Sequence, residues 1–160
     1  MVSRQDPDAA VVTAEGVIQT PAEQLVRNSF AAQGLMETLG AELARVSDGE
    51  VHITMPFSPK LSQQHGYIHA GAITSIVDSA CGYAGLMRAP EGHEVVSAEF
   101  KINFLRPALG ERFLAIGRVE NAGKRLAVCT GEVRAYATGD SDYKVIALMQ
   151  ATMVYVAMGQ

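Results

Sequence analysis

The chain has 160 residues, of which 48% are hydrophobic and 19% are charged, and its formal net charge is −4 at pH 7. This is the composition of an ordinary globular protein, and the length suits one domain with a sizeable core. A negative net charge without a cluster of Lys or Arg argues against nucleic acid as a partner. Cys81 and Cys129 lack metal-ligand spacing, so we expect no metal site and no disulfide framework, but reduced thiols in a cytoplasmic protein.

The first residues differ in character from the rest of the chain. Residues 1–20 are predicted to form a loose extension, and residues 21–160 a single domain. Acidic residues stand where a secretory signal has a basic start and an apolar core, so no leader is expected.

A helix start is visible just after this extension. Thr20 supplies a hydroxyl cap, Pro21 suits the first helical position, and Glu23 completes a capping box. Gly34 and Gly40 indicate that the helical region that follows is broken into pieces.

Alternation of apolar and polar residues predicts the strands. Residues 51–57 form a first strand, and residues 97–104 form a second strand beyond a long apolar helix. Turn sequences at 121–124 and 138–142 separate three further strands, RFLAIGRVE, RLAVCTGEVRAYA and YKVIALMQATMVYV. The order of helix, strand, long helix and four strands predicts an α+β fold, with helices on one face of an antiparallel sheet.

Residues 70–87 are apolar enough to raise the question of a membrane span, which needs ~20 residues. The acid Asp78, several hydroxyl residues and three glycines make insertion unfavourable, so we expect a buried helix and no membrane association. Steps of 100° per residue divide this helix into two faces. The face expected to pack on the sheet consists of Ile73, Ile76, Val77, Ala80, Ala84 and Met87. The opposite face consists of Gly71, Thr74, Ser75, Asp78, Gly82 and Gly85.

Asp78 stands out because its face carries no long polar side chain. Glycine inside a helix costs roughly 1 kcal/mol relative to alanine, so we expect another backbone or a ligand to approach this face closely. A carboxylate at such a seam is unfavourable unless hydrogen bonds or function retain it. We interpret Asp78 as a functional acid. The alternative is an acid that is merely exposed, or hydrogen-bonded for structure alone.

The head of the same helix predicts a second functional feature. His69, Ala70 and Gly71 fall in the first turn, where backbone N–H groups lack intrahelical partners and attract negative charge. The N–H of Ala70 or Gly71 is therefore a candidate to stabilise an oxyanion. Asp78 lies ~12 Å further along the helix axis at 1.5 Å per residue. A second copy of the chain, packed on the small-residue face, would bring complementary groups together, so we expect a dimer.

Three motifs resemble the hotdog-fold acyl-CoA thioesterases, in the PaaI-like branch named after the phenylacetic-acid pathway. They are METLG, QQHGYIHAGAITSIVD and SAEFKINFLRP, and the similarity extends over roughly residues 35 to 156. The resemblance implies an antiparallel sheet wrapped around a long central helix, with sheets joined across a dimer and active sites at the dimer interface. It also implies a homotetramer built from two dimers.

The resemblance also implies roles for individual residues. The family acid, nine residues after the histidine of its turn, falls on Asp78, as general base or nucleophile. The oxyanion donor falls on the N–H of Ala70, and a small hydroxyl residue that helps to hold the attacking water falls on Ser97. The usual asparagine falls on Gln63, which retains the amide but reaches one methylene further.

Five further residues are candidates for substrate binding. His69 either contacts the substrate or caps the turn, and Gly71 shapes the backbone there. Arg106, Lys124 and Arg125 are basic residues near predicted strand ends that would meet the phosphates of CoA.

The resulting interpretation is an acyl-CoA thioesterase that needs neither a metal nor another cofactor. One alternative is a hotdog hydratase or dehydratase acting on enoyl or hydroxyacyl thioesters, with His69 as its histidine. The other is a non-catalytic acyl-CoA-binding module. Phenylacetyl-like, medium-chain and hydroxybenzoyl groups all remain open as the acyl group.

Overall fold

The structure, a computed structural model, describes residues 20–139 and 142–159. The predicted loose extension therefore lies, apart from Thr20, outside the described residues. The helices are α1 (Pro21–Ala31), α2 (Gly34–Leu39) and α3 (Ala70–Leu86), and the strands are β1 (Glu42–Ser47), β2 (Glu50–Pro56), β3 (His93–Phe104), β4 (Arg112–Ala122), β5 (Leu126–Tyr136) and β6 (Tyr143–Ala157).

The strands form one six-stranded sheet with the order β1-β2-β4-β5-β6-β3, and each neighbouring pair is antiparallel. Helix α3 lies against one face of this sheet, and alternate strand residues pack onto it. Ile73, Ile76 and Val77 of the helix are fully buried, as are Phe113 and Met153 of the strands. The predicted α+β fold is confirmed, and β1 and β3 are its two edge strands.

Two glycines let α3 approach the sheet closely. Gly117 of β4 and Gly131 of β5 face each other across the strand pair. A methyl group on Gly117 would collide with the backbone of Ala80 and Cys81, and one on Gly131 would collide with the side chain of Val77. The close contact between α3 and the sheet therefore depends on glycine, which has no side chain, at both positions.

The predicted start of α1 is confirmed in detail. The Thr20 hydroxyl accepts the Glu23 N–H at 3.2 Å, and the Glu23 carboxylate accepts the Thr20 N–H at 2.8 Å. The predicted break is also present, because α2 is a separate helix that ends at Gly40 with a φ of 63°. Only glycine adopts this left-handed conformation without strain.

The prediction of a single strand before the long helix was wrong. The structure has two, since β1 pairs with β2 as an antiparallel hairpin. A register shift between Leu43 and Arg45 interrupts the regular alternation of β1, which is why the pattern did not reveal the strand.

The predicted faces of the long helix need two corrections. Gly85 was assigned to the face away from the sheet, but it is buried within contact distance of Met153 and Cys129. Met87 lies just beyond the last helical residue and is only partly buried. No helix in the described part of the chain is long and apolar enough to cross a membrane.

Candidate active site

The carboxylate of Asp78 lies in a cleft of about 140 Å³ that α3, the α1–α2 connection and the start of β3 enclose. Its Oδ1 accepts a hydrogen bond from the Ser97 hydroxyl at 2.7 Å. The Asp78 residue is partly buried. The structure thus brings together two of the predicted catalytic residues, on two different elements, in a recess open to a small molecule.

A β-bulge turns Ser97 toward the helix. The pairing of β3 with β6 shifts between Ser97 and Glu99, so that Ser97 and Phe100 lie on the same face of the sheet although they are three residues apart. Regular alternation would put Ser97 on the outer face with Glu99 and Lys101. The hydrogen bond to Asp78 depends on this irregularity.

The cleft also carries polar side chains that sequence reasoning missed. The Gln33 amide nitrogen donates to the Tyr83 hydroxyl at 2.7 Å, and the Ser29 and Tyr83 hydroxyls lie 3.3 Å apart. Ser79 donates to the Gln33 amide oxygen at 3.5 Å. Gln33 and Tyr83 are 50 residues apart, and neither belongs to a motif, so the sequence offered no signal for this contact.

The beginning of α3 lines a second cleft, of about 310 Å³. Four predicted site residues meet there: Gln63, His69, Ala70 and Arg106. Asp78 and Ser97 do not line it. Within one chain, the four predicted catalytic residues therefore form two separate groups, Asp78 with Ser97 and Gln63 with Ala70.

His69 is the N-cap of α3, one of its two predicted roles. Its Nδ1 accepts the Gly71 N–H at 2.8 Å, which leaves that N–H unavailable to a substrate oxygen. The Ala70 N–H has no hydrogen-bond partner within residues 20–139 and 142–159. Of the two candidate oxyanion donors, the geometry favours Ala70.

Gln63 shapes the turn that leads into α3. Its backbone carbonyl accepts the Gly66 N–H at 2.9 Å, and its side-chain oxygen accepts the His65 N–H. The φ of Gly66 is 84°, which suits glycine. The Gln63 amide oxygen is thus engaged within the turn, whereas its NH₂ group retains its donors.

The residues predicted to contact the CoA phosphates do not lie together. Arg106 lines the second cleft, and its guanidinium donates to the Val145 carbonyl at 2.6 Å. Lys124 and Arg125 are exposed in the turn between β4 and β5 and line neither cleft. Among the described residues of one chain, Arg106 is therefore the one Lys or Arg that lines either cleft.

The cysteines are core residues. Cys81 and Cys129 are free and fully buried. Burial raises the pKa of Cys129 to about 11, with the charge of Glu120 adding to it, and raises the pKa of Cys81 still further. Both thiols are protonated at neutral pH, so neither is a nucleophile. In the described part of the chain, no three His, Cys, Asp or Glu residues are grouped in a way that would hold a metal ion.

Several known proteins are similar to this chain in sequence and in structure. The thioesterase superfamily matches residues 65–140. The medium/long-chain acyl-CoA thioesterase YigI of Escherichia coli is 26% identical over 140 residues, which cover 78% of this chain and 88% of that protein. The E. coli PaaI protein, at 22% identity and a TM-score of 0.74, covers 85% of this chain and 94% of its own and shares the fold.

The crystal structure of a thioesterase family protein from Silicibacter pomeroyi is more similar. It is 42% identical, has a TM-score of 0.82, and matches over 86% of this chain and 99% of its own. An identity of 42% over 86% of this chain indicates common family membership and not only a shared fold. The sheet wrapped around a central helix agrees with this. The chain therefore belongs to the thioesterase superfamily and has the hotdog fold.

Proposed function

We propose that the protein is an acyl-CoA thioesterase, which hydrolyses an acyl-CoA to the free acid and CoA. The observation that carries this proposal is the partly buried carboxylate of Asp78, held at 2.7 Å by the Ser97 hydroxyl in an open cleft. The similarity to YigI, whose name specifies acyl-CoA, supports the choice of thioester.

Asp78 provides the reacting oxygen in either of two routes. As a general base, it removes a proton from a water molecule whose oxygen attacks the thioester carbon, and the C–S bond breaks to release CoA. As a nucleophile, its own oxygen attacks the thioester carbon, the C–S bond breaks to release CoA, and water then hydrolyses the resulting anhydride to the free acid and the Asp78 carboxylate. The Ser97 hydroxyl holds Oδ1, which leaves Oδ2 for the reacting atoms.

The Ala70 N–H is the proposed oxyanion donor. It lies at the positive end of the α3 dipole, where developing negative charge is stabilised. Because Ala70 and Asp78 of one chain line different clefts, ~12 Å apart along the helix, they do not serve the same thioester. The complete site therefore requires a second copy.

The edge strand β3 offers a way to build that composite site. Antiparallel pairing of β3 with β3 of a second copy would place the start of one strand beside the end of the other. The Asp78 cleft lies at the start of β3, with Ser97, and the Ala70 cleft lies at its end, with Phe104. Pairing centred near Phe100 would thus bring the two different clefts together, in a homodimer or in a tetramer of two dimers.

The surface of β3 is consistent with such a contact. A free strand edge presents unpaired N–H and carbonyl groups. The side chains of Val96, Phe100 and Phe104 are 53%, 42% and 47% exposed. Large apolar side chains on an edge strand favour association.

Replacing Phe100 with Lys is expected to convert the oligomer to a monomer, because a charge on an edge strand opposes pairing. Hydrolysis of acyl-CoA should fall by at least about tenfold although Asp78 and Ser97 are intact, since each site loses its second half. Sedimentation velocity and thiol release measure the two effects. Leu126→Lys is the matched control, because Leu126 is 40% exposed on β5, away from the edge, and should leave the dimer intact. A monomeric variant with full activity would contradict the composite site.

Ser97→Ala is expected to lower kcat by about tenfold with little change in KM, because a hydrogen bond to a charged group orients Asp78. Steady-state thiol release measures both constants. Ser97→Thr keeps the hydroxyl and should recover most of the rate. If Ser97→Ala retains the full kcat, the hydroxyl does not position the acid.

Release of CoA thiol from a panel of phenylacetyl, medium-chain and hydroxybenzoyl thioesters tests the proposed function. Activity toward at least one of them is the expected result. Binding with full recovery of intact acyl-CoA would instead indicate a binding module. Hydration of an enoyl-CoA without thiol release would indicate a hydratase, although His69 is engaged as a helix cap at Nδ1.

A further inference from the structure

Ser29, Gln33 and Tyr83 line the Asp78 cleft and contact one another, and together they form a polar wall. Tyr83 is only 4% exposed, and its ring packs against Phe30 with the ring centroids 6.0 Å apart. The wall is therefore held by the packing of α1 on α3. A hydrocarbon chain would gain nothing from these groups, because it cannot form hydrogen bonds with them.

The polar wall has hydrogen-bonding capacity that its own contacts do not use. One N–H of the Gln33 amide donates to the Tyr83 hydroxyl, so the second N–H remains free. Tyr83 and Ser29 share one contact of 3.3 Å, so one of their two O–H groups also remains free. Burial raises the pKa of Tyr83, so its phenol stays protonated and can donate at neutral pH. The residues of the wall, all of which line the cleft, thus retain at least two hydrogen-bond donors.

The charges around the cleft are negative. Asp78 and Glu94 both line it, and no Lys or Arg is among the described residues that do so. A carboxylate at the far end of an acyl group would meet two like charges without a cation to pair with. A neutral group that accepts hydrogen bonds would meet the free donors of the polar wall instead.

The position of the wall indicates where on the acyl group such an acceptor belongs. Tyr83 follows Asp78 by five residues on α3, a rise of ~7.5 Å along the helix axis at 1.5 Å per residue. With the thioester carbon at Asp78, an acceptor that reaches the wall lies several bonds from the carbonyl. A hydroxyl next to the carbonyl would not reach it.

We propose that the polar wall makes the enzyme selective for acyl groups that carry a neutral hydroxyl distant from the thioester. This inference rests on the proposed function and specifies its substrate class. It assigns Gln33 and Tyr83 as residues that determine specificity for the distal end of the acyl group, and neither one as a participant in bond breaking.

Four CoA thioesters of one chain length test the proposal: hexanoyl, 6-hydroxyhexanoyl, 2-hydroxyhexanoyl and adipoyl. The expected kcat/KM for 6-hydroxyhexanoyl-CoA is about tenfold above that for hexanoyl-CoA, since a hydrogen-bonding site discriminates against a substrate that lacks the group. The 2-hydroxy compound should show no such advantage. Adipoyl-CoA, with a distal carboxylate, should be the poorest of the four. If the native enzyme prefers hexanoyl-CoA to its 6-hydroxy derivative, the proposal is wrong.

Gln33→Leu and Tyr83→Phe test which residues cause the preference. Each should reduce the 6-hydroxyhexanoyl to hexanoyl ratio of kcat/KM toward one, because intrinsic reactivity cancels in that ratio. A purely structural role would lower both rates together and leave the ratio unchanged. Gln24→Leu is the matched control, because Gln24 is exposed on α1 and its side chain donates to Asn28. The ratio of this variant should equal that of the native enzyme.

The outcomes separate this inference from the proposed function. If no thiol is released from any of the four thioesters or from any member of the wider panel, the thioesterase activity itself is disproved. If thiol is released but the ratio is near one in the native enzyme, or is unaffected in both variants, the thioesterase proposal stands and the polar wall does not select the substrate.

Discussion

Replacing Asp78 with Asn is expected to lower kcat/KM for acyl-CoA hydrolysis by about 10²- to 10⁴-fold, the contribution of a positioned general base. The amide has nearly the shape of the carboxylate and can still accept the Ser97 hydrogen bond, but it neither takes up a proton nor attacks the thioester. Thiol release under kcat/KM conditions measures the loss. KM should change little, because the loss concerns the chemical step.

The same substitution on the surface provides the control. Asp48 is exposed, forms an ion pair with Arg88 at 3.1 Å, and lines neither cleft. Asp48→Asn should retain the full rate, because an exposed ion pair contributes little to stability and this one has no part in the site. If Asp78→Asn loses stability but keeps its activity, Asp78 has the purely structural role that the sequence left open.

A single turnover in H₂¹⁸O distinguishes the two roles of Asp78. If Asp78 is a general base, the attacking oxygen comes from water, and the acid released in the first turnover contains ¹⁸O. If Asp78 is the nucleophile and water then attacks its carboxyl carbon, the first product takes its oxygen from Asp78 and the label appears on the enzyme. Mass spectrometry of the product and of the Asp78 peptide measures both.

The features that could be predicted from sequence are those that depend on the spacing of residues close together in the chain. The capping box at Thr20 needs only neighbouring residues, and the long helix with its single acid is visible from composition and period. Asp78 was identified because it is the one charged side chain on a face of small residues. In each of these cases, the residues that determine the feature lie close to it in the sequence.

The features that could not be predicted arise where the chain departs from a regular period or contacts itself at long range. The bulge between Ser97 and Glu99 reverses the orientation of Ser97, and no residue type at that position specifies it. The shift in β1 concealed a whole strand in the same way. Gln33 meets Tyr83 only because α1 packs across α3, a tertiary contact without a local pattern.

The separation of Ala70 from Asp78 could also be predicted from spacing. The rise of ~12 Å between Ala70 and Asp78 follows from helix geometry alone. The structure places these residues in two clefts at opposite ends of β3. Our proposal of a site shared by two copies rests on this separation, and the edge position of β3 provides the surface that would meet it.

Gly117→Ala is expected to lower the free energy of unfolding by about 3 kcal/mol or more, a large effect for one methyl group. The added carbon would collide with the backbone at Ala80 and Cys81, in the middle of α3, and a helix backbone cannot yield as a flexible side chain can. Helix and sheet would have to separate along their length. For a chain of this size, the expected decrease in Tm is about 10 °C.

Thermal and urea unfolding at one protein concentration measure this effect, because association of copies also contributes to stability. Gly34→Ala is the matched control: an added carbon there meets no atom within 4 Å, and the residue begins α2. Its unfolding free energy should stay within about 0.5 kcal/mol of the native value. A Gly117→Ala protein as stable as Gly34→Ala would mean that α3 is not seated on β4. In that case Asp78, which lies two residues before Ala80, would not be held at the cleft.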